Sequence, residues 1–392
     1  MHKRKRPALW AAAIVVIIVA LSSLAGLAHW RRTLPVSSGR LAVDGLGAPV
    51  EIARDRLGIP VIAAQDEHDL FFAQGFVHAQ DRFWQMELGR RTACGTLAEV
   101  LGDGALASDK LMRIIGLGQQ AEIEWTLLSY ETRADVEAYS QGVNAWLRSQ
   151  TVMPLEFQWL GYRPVPWRPE DTLALARLLA WSQDNGWQQE LLLARLVGAV
   201  GPERAAELGL GGSMVVRVPG EMDNLTALAG ILPQEEISAP LDLSEAGSAW
   251  DAWVVGGRKT ASGRPILAAS LGAGPSMPSA YYEVRLTGGR YDVSGASIPG
   301  IPGVVAGRNP HVAWAGVAGA LDEQDLYLER VRAQPTPEIE FDGTWLPLDE
   351  RLEEISVRGQ KGPHSLHVYT SFHGPLLTET VPPSGRAVAL RW

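Results

Sequence analysis

The stretch Gly247–Gly263, GSAWDAWVVGGRKTASG, sets a Gly247-Ser248 pair just ahead of a tryptophan and an apolar run. A serine hydroxyl is a weak nucleophile unless a base lies within hydrogen-bond reach, and a free α-amine, titrating at about pH 8, is such a base. Ser248 at the head of a cut chain would carry both groups; read alone, it is a linker serine. Two residues on, Trp250 offers an indole N–H and no lone pair for attack. Carboxylates gather in Asp322-x-x-Asp325, and Glu190 lies in the helical run GWQQELLLARL. Such hard oxygens suit calcium. By itself, however, the acidic loop reads as a solvated surface and Glu190 as a helix surface charge. Asp81, Arg82, Gln85, Glu87, Arg90 and Arg91 recur at helical spacing. They read as a polar network that holds a helix to the core, with no chemistry assigned.

The elements around these residues follow from periodicity. Between Arg40 and Ile62, LAVDG, PVEIARD and IPVIAA alternate apolar and polar residues and predict two or three strands, joined at glycine-bearing turns. From Asp66 to about Leu101 the period becomes helical, with Asp66 or Asp69 as the cap. Helical patterning continues through Ala121–Leu147 and Pro169–Leu208. Ile231–Gly247 is acidic, proline-bearing and aperiodic, and reads as a linker. After it come AWVVGG, RPILAAS, YYEVRLT, YDVSG, PGVVAG, HVAWAG and LYLERVR, all strand-like. Helices first and strands second predict an α+β protein.

The 392 residues are 46% hydrophobic and 20% charged, an ordinary globular balance long enough for a large core or two domains. With a net charge of −9 and no basic cluster beyond the N-terminus, nucleic acid is excluded as a partner. The single cysteine, Cys94, rules out an internal disulfide and a cysteine-based metal site. It reads as a small buried hydrophobe. Lys3, Arg4, Lys5 and Arg6 precede a charge-free run from Ala8 to Ala28, and Arg31 and Arg32 follow it. That run is long enough to span a bilayer, and the heavier positive charge before it places the N-terminus in the cytoplasm. An uncleaved membrane anchor with a periplasmic body is expected. The alternative is a signal cleaved after Gly26-Leu27-Ala28, giving a secreted form.

Three blocks carry a wider resemblance. Residues 53–113 contain ARDRLGIPVIAA, FAQGFVHAQDRFWQMELGRR, GTLAEVLG and SDKLMR; residues 295–330 contain GASIPGIPGVVAGRNPHVAWAG; the third block is Gly247–Gly263. Together they resemble the penicillin acylase family of N-terminal nucleophile amidohydrolases, over essentially everything after residue 40. The family junction reads roughly Gly-Ser-Asn-x-Trp-Val-Val, then Thr-Ala-Ser/Thr-Gly. Trp253, Val254, Val255, Thr260, Ala261, Ser262 and Gly263 match it without gaps. The gapless match puts Trp250 on the serine that becomes the nucleophile and new N-terminus, and Asp251 on the asparagine. With a two-residue insertion, for instance Ala249 and Trp250, Ser248 takes that role instead.

The resemblance implies a layered α/β/β/α N-terminal nucleophile hydrolase fold, incomplete at its C-terminus. It divides the chain into an anchor or signal (1–35), a helical α-subunit-like region (36–230), a spacer (231–249) and a partial β-subunit-like sheet region (250–392). It implies a small-molecule amide substrate of the β-lactam or acyl-homoserine lactone type. It also implies a structural calcium ion held by Glu190, Asp322, the Gln324 carbonyl and Asp325, and a backbone oxyanion donor at Ala318. Asn309 occupies a different position and reads as a turn residue. The family's asparagine oxyanion donor would fall beyond Trp392, and AVALRW reads as a strand cut off in mid-element. A separate chain supplying that part is therefore expected. Ala269, Ser270, Leu271 and Gly272 replace the family's Asn-Asp-Pro-His. With Trp250, this departure implies an activity impaired or lost, the alternatives being an inactive membrane-anchored binding relative or a truncated gene remnant.

Overall fold

A computed structural model describes residues 5–184, 186–201, 204–205, 251–271, 276–317 and 323–392. After α1 come two short strands, then a run of helices, then strands, as the periodicity predicts. The helices are α1 (Lys5–Thr33), α2 (Glu67–Cys94), α3 (Ala98–Leu101), α4 (Leu106–Ile115), α5 (Leu117–Leu127), α6 (Tyr130–Ser149), α7 (Leu155–Leu160), α8 (Pro169–Gln183) and α9 (Gly186–Val200).

Most of α1 is exposed, while His29 near its end bonds Gln158 of α7. The α1 window Ala13–Thr33 has a mean hydropathy of 2.1 and none of it is buried, so its length and composition are those of a helix able to cross a membrane. α2 is the opposite case, a central helix buried on nearly every side. Asp66 caps it by accepting the Asp69 N–H at 2.9 Å, and Gly95 ends it in the left-handed conformation at φ 60°. Asp69 is not the cap. Its carboxylate takes the N–H groups of Gly47 and Ala48 at 2.9 and 2.7 Å. That explains why LAVDG is a loop and not the strand expected: two backbone donors just past it are claimed by a side chain, not by a ladder.

α2 crosses α6 at two glycines. A Cβ on Gly75 would run into the Tyr139 carbonyl, and one on Gly142 into the Phe72 carbonyl. Each helix therefore presents a notch to the other's backbone. The helical patterning expected through Ala121–Leu147 is two helices, divided at Ser129, whose hydroxyl accepts the Thr132 N–H and starts α6 anew. Likewise Pro169–Leu208 breaks at Asp184, where one carboxylate oxygen accepts the Gly186 N–H at 2.9 Å.

The largest sheet runs β1 (Glu51–Arg54), β2 (Pro60–Ala63), β5 (Tyr282–Gly288), β6 (Tyr291–Ile298), β7 (Ile301–Arg308) and β8 (Ala313–Trp314) in spatial order. β2 and β5 are parallel, the other pairs antiparallel. Tyr282, Val284 and Leu286 alternate inward on β5 and close with Ile62 over Leu70, Ala73 and Val77 of α2. A second sheet orders β11 (Thr344–Pro347), β10 (Glu338–Phe341), β9 (Asp325–Arg332) and β15 (Ser384–Arg391). The run expected as a strand without a neighbour is β15, and it pairs with β9 from Ser384↔Arg332 to Arg391↔Asp325. Trp392 packs edge-on against Trp181 of α8, centroids 5.3 Å apart. β12 (Asp349–Ile355), β13 (His364–Ser371) and β14 (Gly374–Pro375) form a third sheet. β3 (Ala252–Val255) and β4 (Ile266–Ala269) pair, among the described residues, with each other.

Candidate functional site

The junction hairpin is built by its turn. The Thr260 hydroxyl donates to the Gly257 and Arg264 carbonyls at 3.0 and 2.7 Å, and Gly263 adopts φ +70°. Thr-Ala-Ser-Gly is thus a folding device that returns β4 onto β3. The register puts Ala252 opposite Ala269, and beyond it the Ser270 N–H donates to the Asp251 carbonyl at 2.7 Å. Ser270 therefore lies across from Asp251, one step beyond the Ala252↔Ala269 pair. Trp253 and Val254 are 58% and 67% exposed, so the hairpin faces solvent.

The Tyr281 hydroxyl donates to the Leu271 carbonyl at 3.1 Å. Arg82 and Gln85 both donate to the Ser279 carbonyl at 3.1 Å. Arg82 is also where α2 leaves helical geometry, at φ −141°. Next to it Asp81 receives the Arg54 guanidinium, at 2.7 and 3.1 Å, and the Tyr282 hydroxyl. Burial opposes the Arg54 charge, but the Asp81 carboxylate outweighs it and raises the guanidinium above its ordinary range. Burial and then Asp81 push the Tyr282 phenol upward. Asp81 thus ties β1 and β5 to α2 at its kink.

Deeper in, His78 is fully buried between the Tyr139 hydroxyl at 2.8 Å and the Ser297 hydroxyl at 3.0 Å. Burial, with a smaller contribution from the Arg82 charge, pulls the imidazole down to about 3. It is a neutral strut joining α2, α6 and β6. Glu87 pairs with Arg90 and Arg91, and Arg90 reaches Asp171 of α8 at 3.0 Å. The polar residues of α2 do hold that helix to its neighbours, as their spacing predicts. Cys94 is partly buried, and burial pushes its thiol up to about 12, which leaves it inert. The Asn309 side chain accepts the His311 and Val312 N–H groups at 2.8 and 2.7 Å, a turn residue as expected.

Of the residues singled out from the sequence, Ser248, Trp250, Ala318 and Asp322 lie outside the described residues, as does the 231–249 spacer. Glu190, Gln324 and Asp325 lie within them and meet where α9 approaches the start of β9. Glu190 accepts the Leu326 N–H at 2.8 Å. Gln324 is fully buried, donates to the Trp181 carbonyl at 3.3 Å and, among the described residues, leaves its side-chain oxygen without a hydrogen-bond partner. Asp184, not anticipated from the sequence, accepts the Glu323 N–H at 2.9 Å. A buried amide oxygen without a partner among the described residues, with Glu190 bonded two residues further along the chain, is chemistry that fits a hard cation. A tighter group, Asp66, His68 and Asp69, has its carboxylates engaged in capping α2 and holding the 47–48 loop.

The penicillin amidase family pattern matches residues 49–392. An acyl-homoserine lactone acylase of Pseudomonas aeruginosa is 34% identical over 92% of this chain and 44% of its own length. A penicillin acylase 2 proenzyme of a Pseudomonas species is 35% identical over 91% of this chain and 47% of its own. A solved penicillin G acylase of Alcaligenes faecalis is 25% identical and superposes with a TM-score of 0.36, over 44% of this chain and 94% of that one. The chain spans about half the length of the curated relatives it matches.

Proposed function

Since the chain belongs to the penicillin amidase family, we propose that it derives from a hydrolase of linear amide bonds and carries that activity in impaired or lost form. The substrate class is the acyl amide of β-lactams or acyl-homoserine lactones, which the names of its relatives suggest. The observation that carries this reading is the junction register. Asp251 is fixed opposite Ser270, and Trp250 immediately precedes it, where acyl transfer needs a hydroxyl. Two residues of extended chain reach at most about 7 Å, so Ser248 takes that place only if the intervening Ala249 and Trp250 loop out. Ala318 would supply one backbone donor to the oxyanion, a role that survives side-chain substitution.

We further propose that calcium staples the helical region to the sheet through Glu190, Asp322, Asp325 and the Gln324 carbonyl, with the ion supplying charge neutralisation there. α1 serves as an uncleaved anchor, leaving the body outside the cytoplasm. Mass analysis of the purified full-length protein tests the central reading. A single uncut chain is expected. A fragment beginning at Ser248 overturns it and restores Ser248 as nucleophile, with its own α-amine as base.

A further inference from the structure

The end of α1 is tied to the body. The His29 ring bonds the Gln158 side-chain oxygen at 2.6 Å, and Gln158 in turn donates to the Met153 carbonyl at 2.6 Å. Gln158 belongs to α7, whose Phe157 is buried against Phe83 and Trp84 at centroid distances of 5.7 and 5.3 Å. α7 is therefore a fixed part of the body. The next residue, Trp159, is 80% exposed. Phe157 is buried while the Trp159 indole stands in water, a large apolar area that a covering surface would favour.

α1 supplies the ruler. Trp10 and Trp30 are both exposed and twenty residues apart. At 1.5 Å per residue that is about 30 Å, the thickness of a bilayer's hydrocarbon core. Tryptophan favours the headgroup level at both ends of a span. Arg31 and Arg32 follow Trp30 and mark the same boundary. The His29–Gln158 contact then brings α7 to the level of Trp30. The chain leaving α1 stays near: the Gln80 side chain donates to the Val36 carbonyl at 2.9 Å, and exposed Leu34 and Val36 lie on this path.

We propose that α7 is a second membrane contact, with Trp159 seated at the headgroup level of the leaflet that Trp30 marks, so that the body lies on the bilayer and does not swing on a tether. The partner is a lipid surface. This rests on the anchor reading of α1.

The test uses the full chain in a Cys94→Ala background, reconstituted in phospholipid vesicles. An environment-sensitive fluorophore is attached at Trp159→Cys, Trp30→Cys or Tyr130→Cys, all exposed positions. Nitroxide lipids labelled near the headgroup should quench the reporters at 159 and 30 more than twofold and leave the one at 130 unchanged. Quenching at 30 with none at 159 overturns the second contact and leaves the anchor standing. Silence at both positions overturns both. A blue shift at 159 in dilute detergent that grows with protein concentration assigns the surface to a second copy of the chain and also overturns the lipid contact.

Discussion

Ser270 donates its backbone N–H to the carbonyl of Asp251 at 2.7 Å, extending the β3–β4 ladder one step past Ala252↔Ala269. The junction and the altered Ala269–Leu271 segment are therefore neighbours in space. A single substitution at the junction leaves the opposite strand, Ala269 to Leu271, and the solvent-facing hairpin as they are. We expect Trp250→Ser to remain one uncut chain by mass spectrometry. A new N-terminus at position 250 would show that the hydroxyl alone had been missing.

His78 gives the fold a specific acid sensitivity. Its ordinary imidazole value is about 6.5 in the unfolded chain, and burial holds it near about 3 in the fold. Its folded value is depressed, so the neutral form is the folded form. Above pH 6.5 neither state binds the proton and stability is unaffected. As pH falls below that, the unfolded chain takes up a proton the folded one refuses, and stability drops by about 1.4 kcal/mol per pH unit. Urea midpoints measured from pH 7 to pH 4 should fall more steeply for the native chain than for His78→Gln. Parallel curves would remove His78 as the cause.

Much of this was legible beforehand, for reasons that differ by element. The seven strands from AWVVGG to LYLERVR show because each alternates or runs apolar between glycines, and β5 proves it with Tyr282, Val284 and Leu286 inward. LAVDG misleads because its fate is decided at Asp69, more than twenty residues away. Period alone cannot see such a bond. The breaks at Ser129 and Asp184 were written in side chains that cap helices, a signal present but overridden by the apolar rhythm around it. The Arg54–Asp81–Tyr282 contact joins residues over two hundred positions apart, and only the parallel pairing of β2 with β5 brings them together.

Gly142 tests the helix crossing. A methyl there meets the Phe72 carbonyl, backbone that cannot turn aside. Overpacking of this kind costs about 1–3 kcal/mol or more, so Gly142→Ala should lower the unfolding midpoint clearly. Gly104 has nothing within 4 Å of an added Cβ, and Gly104→Ala should leave the midpoint where it is. Equal midpoints for the two variants would mean that α2 and α6 do not approach as closely as described.

Calcium should stabilise the fold through the meeting of α9 with β9. Glu190 holds the Leu326 N–H, and the buried side-chain oxygen of Gln324, two residues earlier, has no partner among the described residues. A ligand that binds only the folded state adds about 2.7 kcal/mol at a hundredfold excess over its dissociation constant. Thermal unfolding in a chelator should therefore begin several degrees lower than in millimolar calcium. Magnesium should restore little, since it demands a smaller octahedral shell and gives up its waters reluctantly. Glu190→Gln keeps an acceptor for the Leu326 N–H while removing the charge, so the fold should persist and the calcium response shrink. If the native chain melts at one temperature with and without the chelator, the ion has no place at this meeting of α9 and β9.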